Sequence, residues 1–184
     1  MIFDTIIETE RLILRCLDSS DAEHLFRLRS DPEYAEFFGW LPYKSIEQAY
    51  DRIKQCREEK TCYVFSIVPK TTGFTVGGIC LWNIDYEKKI LEIGYDLEKE
   101  YRGKGYAFEA CSKIVNFAFN ELNIETITAF PRVINNSSIT LLKKLGFVNI
   151  GLIKDKISTG EEIKYHNFQL QSIKFVSSIR QTIA

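Results

Sequence analysis

The chain has 184 residues, 45% of them hydrophobic and 27% charged, with a formal net charge of -1. That length allows one domain with a substantial core, and the scattered charges (Asp21, Glu23, Arg27, Arg29, Asp31) give no electrostatic basis for binding nucleic acid or an anionic membrane. No apolar run approaches the roughly 20 residues that cross a bilayer, and the first residues lack the basic stretch and long apolar core of a secretion signal.

Thr9 to Arg15 alternates as a strand, with Leu12 and Leu14 on one side and Arg11, Ile13 and Arg15 on the other. Asp18-Ser19-Ser20-Asp21 offers helix caps ahead of Leu25 and Leu28, and Asp31-Pro32 marks the expected end of that helix. An aromatic loop, Phe37-Phe38-Gly39-Trp40-Leu41-Pro42-Tyr43, follows, and Ser45 caps a second helix through Ile46, Ala49, Tyr50 and Ile53. Phe37 and Phe38 read as core, and Trp40 as a surface residue. Three strands come next, Cys62 to Val68, Thr75 to Asn83 and Ile90 to Leu97, joined by turn-forming sequences into an antiparallel meander. In the third, Leu91, Ile93, Tyr95 and Leu97 share a face opposite Glu92.

The strongest helix runs from about Gly105 to Asn120, with Ala107, Cys111, Ile114, Val115 and Ala118 on one face. Thr126 to Phe130 reads as a short strand. Asn135 or Asn136 caps a helix through Leu145, which Gly146 stops. Val148 to Lys154 and Glu162 to Leu170 close the domain as a hairpin across Ser158-Thr159-Gly160. Together these elements predict a single mixed α/β domain over residues 1–184.

Five cysteines, none spaced C-x-x-C, argue against a disulfide framework or zinc knuckle and suit a reducing cytoplasm. His24 and His166 belong to no metal-binding pattern and have no evident partners, so no metal is expected. Cys111, on the apolar face of its helix, reads as core rather than nucleophile.

The chemistry begins at Tyr101-Arg102-Gly103-Lys104-Gly105-Tyr106-Ala107, between the strand ending at Leu97 and the best helix. Glycines let the backbone turn tightly and approach a ligand, and the helix start then offers N–H groups and a positive dipole to a pyrophosphate. Neither a P-loop nor a dinucleotide fingerprint is present. What remains, R-x-x-G-x-[GA], arises by chance in roughly one chain of this length in ten. Its place between strand and helix strengthens it; the competing reading is an ordinary Gly-rich turn.

A second motif, Asn135-Asn136-Ser137-Ser138-Ile139-Thr140-Leu141-Leu142-Lys143-Lys144-Leu145-Gly146-Phe147, follows at the expected separation. With it the chain resembles the GNAT superfamily of acetyltransferases, and within it the branch of the RimJ/RimL ribosomal-protein N-terminal acetyltransferases. The branch pattern N-x-x-S-x-x-L-L-x-K-L-G-F is matched from Asn135 to Phe147, and Thr9-Glu10-Arg11-Leu12-Ile13-Leu14-Arg15 and Glu92-Ile93-Gly94-Tyr95 match its style. The resemblance spans residues 9–170, leaving 174–184 as a tail.

The resemblance implies a mostly antiparallel sheet, flanked by about four helices, that splits between the strand ending near Leu97 and the strand from Thr126. Acetyl-CoA would be the co-substrate, with its pantetheine against the backbone around Tyr95 and Leu97. Its pyrophosphate would lie on the turn made by Arg102, Gly103, Lys104, Gly105, Tyr106 and Ala107. Asn135 would bind the pantetheine arm, and Ser138 would sit near the thioester sulfur. Where several family members have a tyrosine that serves the departing thiolate, this chain has Leu142. Ser138 is therefore the candidate acid, against the alternative of a helix-start hydroxyl bonded to backbone. Glu92 is the candidate base, against a solvated strand carboxylate, with Glu161 and Glu162 in reserve. Trp40 and Tyr43 fall on the expected substrate side.

The acceptor is then a primary amine, either the N-terminal α-amine of a protein, ribosomal proteins included, or a small amine such as a polyamine, amino acid or antibiotic. The remaining alternative is a non-catalytic acyl-CoA-binding module. A monomer and a homodimer are both compatible with the sequence.

Overall fold

The computed structural model describes residues 5–38, 40–58, 62–156, 160 and 162–173. Alternating burial along Leu12–Cys16 (β2), fully buried at Leu12 and Leu14, is the mark of a strand with one face in a core. It pairs antiparallel with Ile6–Glu8 (β1) and with Tyr63–Pro69 (β3). Gly77–Asp85 (β4) and Ile90–Leu97 (β5) continue the antiparallel run. Beyond β5 lie Thr126–Ala129 (β6), Glu162–Gln171 (β8) and Val148–Lys156 (β7), giving the order β1-β2-β3-β4-β5-β6-β8-β7.

Among the described residues five α-helices cover the sheet. One face of the sheet packs against Tyr106–Asn120 (α4), whose Ala110, Cys111, Ile114, Val115 and Ala118 are fully buried with Leu81, Leu91 and Ile127. Burial of each large apolar side chain here contributes about 1.5–3 kcal/mol. The opposite face is covered by Ala22–Ser30 (α1), Pro32–Phe38 (α2) and Glu47–Glu58 (α3), around a smaller cluster of Leu17, Ala22, Ala49 and Ile53. Asn136–Lys144 (α5) packs on α4 through buried Leu142.

The helix α2 is one more than expected. Asp31-Pro32 ends α1, but it also starts the next helix: Asp31 Oδ1 accepts from the amides of Glu33 (2.9 Å) and Tyr34 (3.3 Å). Proline fits the first helical position, where its missing N–H has no helical partner to lose. The expected core position of Phe38 also fails, because its ring is 37% exposed; the side chain of Phe37, with Gly39 and the turn residues Ser158 and Thr159, lies outside the described residues. Cys111 is core, as its place on the apolar face implied. Among the described residues no helix is long and apolar enough to cross a membrane.

Candidate active site

The sheet opens at β5. Parallel pairing with β6 covers only Ile90↔Thr126, Leu91↔Ile127 and Glu92↔Thr128. From Ile93 to Leu97 the strand pairs with β4 alone, so the backbone around Tyr95 and Leu97 borders the split. Past Leu97 a single helical turn, Lys99–Tyr101, leads into the glycine turn. Gly103 (φ 75°) and Gly105 (φ 82°) are both left-handed, a conformation that strains any residue with a Cβ. Tyr106 opens α4, with Ala107 next, and no side chain caps it at Gly105. Its first amides are therefore uncapped by any side chain at Gly105, an arrangement suited to an anion.

The basic side chains around this turn are held in place. Arg102 Nε donates to Leu97 O at 2.9 Å, and Lys104 Nζ sits 4.9 Å from the Tyr101 ring centre. Sequence reasoning gave Arg11 only a motif match, yet its Nη1 donates to Lys104 O at 2.9 Å and its guanidinium lies over the Tyr106 ring. Exposed glycines, an uncapped helix start and three cationic side chains together suit a pyrophosphate.

Across the split, Asn135 caps α5: its Oδ1 accepts from Ser138 N (3.1 Å) and Ser137 Oγ (2.9 Å). The Ser138 hydroxyl is not spent on local backbone. Its Oγ lies 2.8 Å from Tyr95 Oη, a bond that bridges β5 and α5. Burial pushes the Tyr95 phenol up, so it is protonated at neutral pH.

On the helix-covered face, Gly78, Cys80, Trp82, Glu92, Gly94 and Asp96 share one side of β4 and β5. Small residues there leave a cavity of about 680 Å³ beneath α1–α3. Glu92 and Ser138 both line it, so the structure brings the two candidate catalytic residues to one cavity. Asn83 Nδ2 donates to Glu92 Oε2 at 3.0 Å. Burial raises the Glu92 pKa, against the opposing hydrogen bonds from Asn83 and Trp82.

Trp40 lines the cavity, stacked on Phe38 at 4.8 Å with the Arg29 guanidinium 3.4 Å from its ring centre. Tyr43 does not; it packs beside the small cluster under α1 and α3. Glu162 is exposed and pairs with Lys154 at 2.8 Å on the hairpin, while Glu161 lies outside the described residues. Both histidines do have partners: His24 Nδ1 meets Glu98 Oε1 at 3.0 Å, and His166 Nδ1 meets Asn149 Nδ2 at 2.9 Å. Sequence reasoning missed Asp96 and Trp82. The alternation that singled out Glu92 also puts Asp96 on the cavity face, and it was the one signal that could have found it.

A family profile described as "Acetyltransferase (GNAT) domain" matches residues 11–148. Among characterised and uncharacterised relatives, the N-acetyltransferase p20 of Bacillus licheniformis is 36% identical over 166 residues, covering 88% of this chain and 93% of that protein. In three dimensions the chain is similar to the spermidine N-acetyltransferase of Vibrio cholerae, solved with CoA and spermine. That likeness has a TM-score of 0.82 at 20% identity, over 91% of this chain and 99% of the other. It is also similar to the ribosomal-protein-S5-alanine acetyltransferase of Vibrio fischeri, with a TM-score of 0.78 at 25% identity, over 94% of this chain and 99% of the other.

Proposed function

The chain belongs to the GNAT acetyltransferase family, and from that premise we propose that this acetyl-CoA-dependent N-acetyltransferase acts on the α-amine of a peptide or protein N-terminus. Acetyl-CoA supplies the activated acetyl group. The turn from Arg102 to Ala107 would hold its pyrophosphate, and the open edge of β5 at Tyr95 and Leu97 its pantetheine. Because Asn135 Oδ1 is occupied as a helix cap, its side-chain amide nitrogen is the group left to meet the pantetheine arm.

On this reading Glu92 accepts the proton from the attacking nitrogen, directly or through a water. The Ser138 hydroxyl, backed by Tyr95, gives a proton to the sulfur as the carbon–sulfur bond breaks. An α-amine of pKa near 8 costs under about 1 kcal/mol to neutralise at pH 7.5, whereas a lysine-like amine costs roughly 4 kcal/mol. One weakly basic carboxylate is matched to the first task.

The observation that carries the acceptor assignment is the charge balance of the cavity. Its carboxylates, Glu92, Asp96 and Asp155, are equalled in number by the guanidiniums of Arg29, Arg52 and Arg132. A site for a free polyamine would need a surplus of carboxylates to match its ammonium groups. A peptide end, with one reacting amine and uncharged backbone behind it, fits a balanced wall and fills far more of 680 Å³ than a simple monoamine.

The test is CoA release from acetyl-CoA, read with a thiol reagent, against peptides with free and blocked N-termini, polyamines, lysine and aminoglycosides. Gly105→Glu, which forces a side chain into a left-handed position 3.2 Å from Arg11, is the control that should abolish acetyl-CoA binding. Release with free but not blocked peptides is expected. Release only with small amines would overturn the acceptor, and binding without turnover of any amine would favour a non-catalytic module.

A further inference from the structure

One buried oxygen in the cavity has no partner. Asp96 Oδ1 is enclosed, and no hydrogen-bond donor among the described residues reaches it. A carboxylate withdrawn from water is unfavourable unless something compensates it, and orphaned buried polar atoms are uncommon enough to require an explanation.

The nearby basic side chains do not supply that partner. His24 is turned to Glu98 at 3.0 Å, and Arg29 is stacked on Trp40 at 3.4 Å. Burial raises the Asp96 pKa, and the Tyr34 hydroxyl and the Gly78 amide oppose this by hydrogen-bonding the carboxylate. Its Oδ2 points toward Gly78, where a Cβ would lie 3.7 Å away. The other oxygen, Oδ1, is left without a donor on the wall of the cavity that Asp96 lines.

Distance decides which part of the ligand that is. Asp96 and Glu92 are four residues apart on one strand face, a separation of about 13 Å at the usual strand rise. Between them lies Gly94, with the Trp82 ring across it: a Cβ at Gly94 would stand 2.3 Å from the ring tip. With that ring between them, the two carboxylates cannot share one nitrogen.

We propose that Asp96 forms a second acceptor subsite, which takes a positively charged group of the substrate other than the amine being acetylated. Resting on the N-terminal reading above, it selects peptides with a lysine or arginine close behind the reacting end, held over the indole of Trp82. One extra positive charge is what this single unsatisfied carboxylate can match, so the subsite does not imply a polyamine.

The experiment compares kcat/KM for peptides carrying lysine, or isosteric norleucine, at their second and third positions. The wild-type enzyme should prefer lysine at least tenfold in one of the two positions, and Asp96→Asn should lose that preference while keeping its rate on the norleucine peptide and its acetyl-CoA affinity. The same ratio measured with heptanediamine against heptylamine covers the case in which no peptide is acetylated, so the subsite stands or falls apart from the N-terminal reading. No charge preference in the wild type, or a preference that survives Asp96→Asn, overturns the proposal. If Asp96→Asn does not fold, Trp82→Leu is the second variant and should reduce the same ratio.

Discussion

Tyr95 Oη and Ser138 Oγ stand 2.8 Å apart although 43 residues separate them in sequence. Tyr95 leaves β5 on the side of α4 and α5, and Ser138 lies in the first turn of α5, fixed there by the Asn135 cap. Since the usual tyrosine position of α5 is the fully buried Leu142, this pair is the candidate donor at the split. General acid catalysis contributes about 10²–10⁴-fold. Ser138→Ala is expected to lower kcat by about 10²-fold with acetyl-CoA affinity unchanged, and Tyr95→Phe by less. If the two hydroxyls act as one unit, the double variant falls no further than Ser138→Ala alone. Additive losses in steady-state rates would separate them into independent roles.

A second long-range contact sets the glycine turn. Glu109, in the first turn of α4, accepts from Arg11 Nε at 2.7 Å, from the Arg11 amide at 2.9 Å and from Thr9 Oγ1 at 2.5 Å. Arg11 in turn holds Lys104 O, so the segment just before β2 ties the glycine turn to the first turn of α4. The pair is part-exposed, and such ion pairs add only about 0–1 kcal/mol to stability. Its larger effect is preorganisation. Glu109→Gln and Arg11→Ala should each weaken acetyl-CoA binding by about tenfold, or about 1.4 kcal/mol, with kcat at saturation little changed. Calorimetry against steady-state rates checks this; equal loss of kcat would place the defect in the chemistry instead.

The glycine turn, the meander and the Asn135 cap were legible because each rests on local spacing: left-handed glycines, period-two alternation, a side-chain oxygen three residues before an amide. What stayed hidden depends on residues that meet only in the fold. His24 finds Glu98 and Thr9 finds Glu109, pairings no periodicity encodes. Asp31-Pro32 has one local meaning as a stop and another as a start, and the sequence does not choose between them. Asp96 reads as one more polar residue on an alternating strand; only the cavity above it makes it conspicuous.

Glu92 carries a pH prediction. Burial raises its pKa above the ordinary 4.5, and as a base it works only when ionised. The acidic limb of kcat/KM should therefore inflect above that ordinary value, and Glu92→Gln should erase the limb and lower kcat by about 10²–10⁴-fold. Stability runs the other way. A carboxylate with a raised folded pKa contributes stability below its unfolded value, and that contribution is lost as pH rises through the folded pKa. Glu92→Gln should thus unfold at the same or a slightly higher temperature than wild type near neutral pH, with any difference vanishing below about pH 4.5. A variant both inactive and clearly destabilised would mean that Glu92 is structural.

Asp21 carries the opposite sign. It is 2% exposed, and burial opposes its charge. Yet Arg15 grips both of its oxygens at 2.7 and 2.9 Å, Ser66 and Thr75 donate at 2.9 and 2.5 Å, and the Asp18 amide donates at 3.0 Å. These bonds outweigh burial and hold its pKa below the ordinary 3.8. They tie the start of α1 to β2, β3 and the strand approach at Thr75. A depressed folded pKa gives stability that is present above pH 3.8 and lost as pH falls through the folded value. Asp21→Asn takes from Arg15 its buried partner and leaves only the part-exposed Asp18 at 3.1 Å, and breaking a buried pair in this way costs about 3–5 kcal/mol. In a chain of this size each kcal/mol moves the melting temperature by roughly 2–4 °C, so thermal unfolding at pH 7 should fall by on the order of 10 °C. Below pH 3.8 the gap to wild type should narrow as Asp21 itself becomes protonated. A deficit that stays constant from neutral to acidic pH would show that packing, not the charge on Asp21, is what the substitution removes.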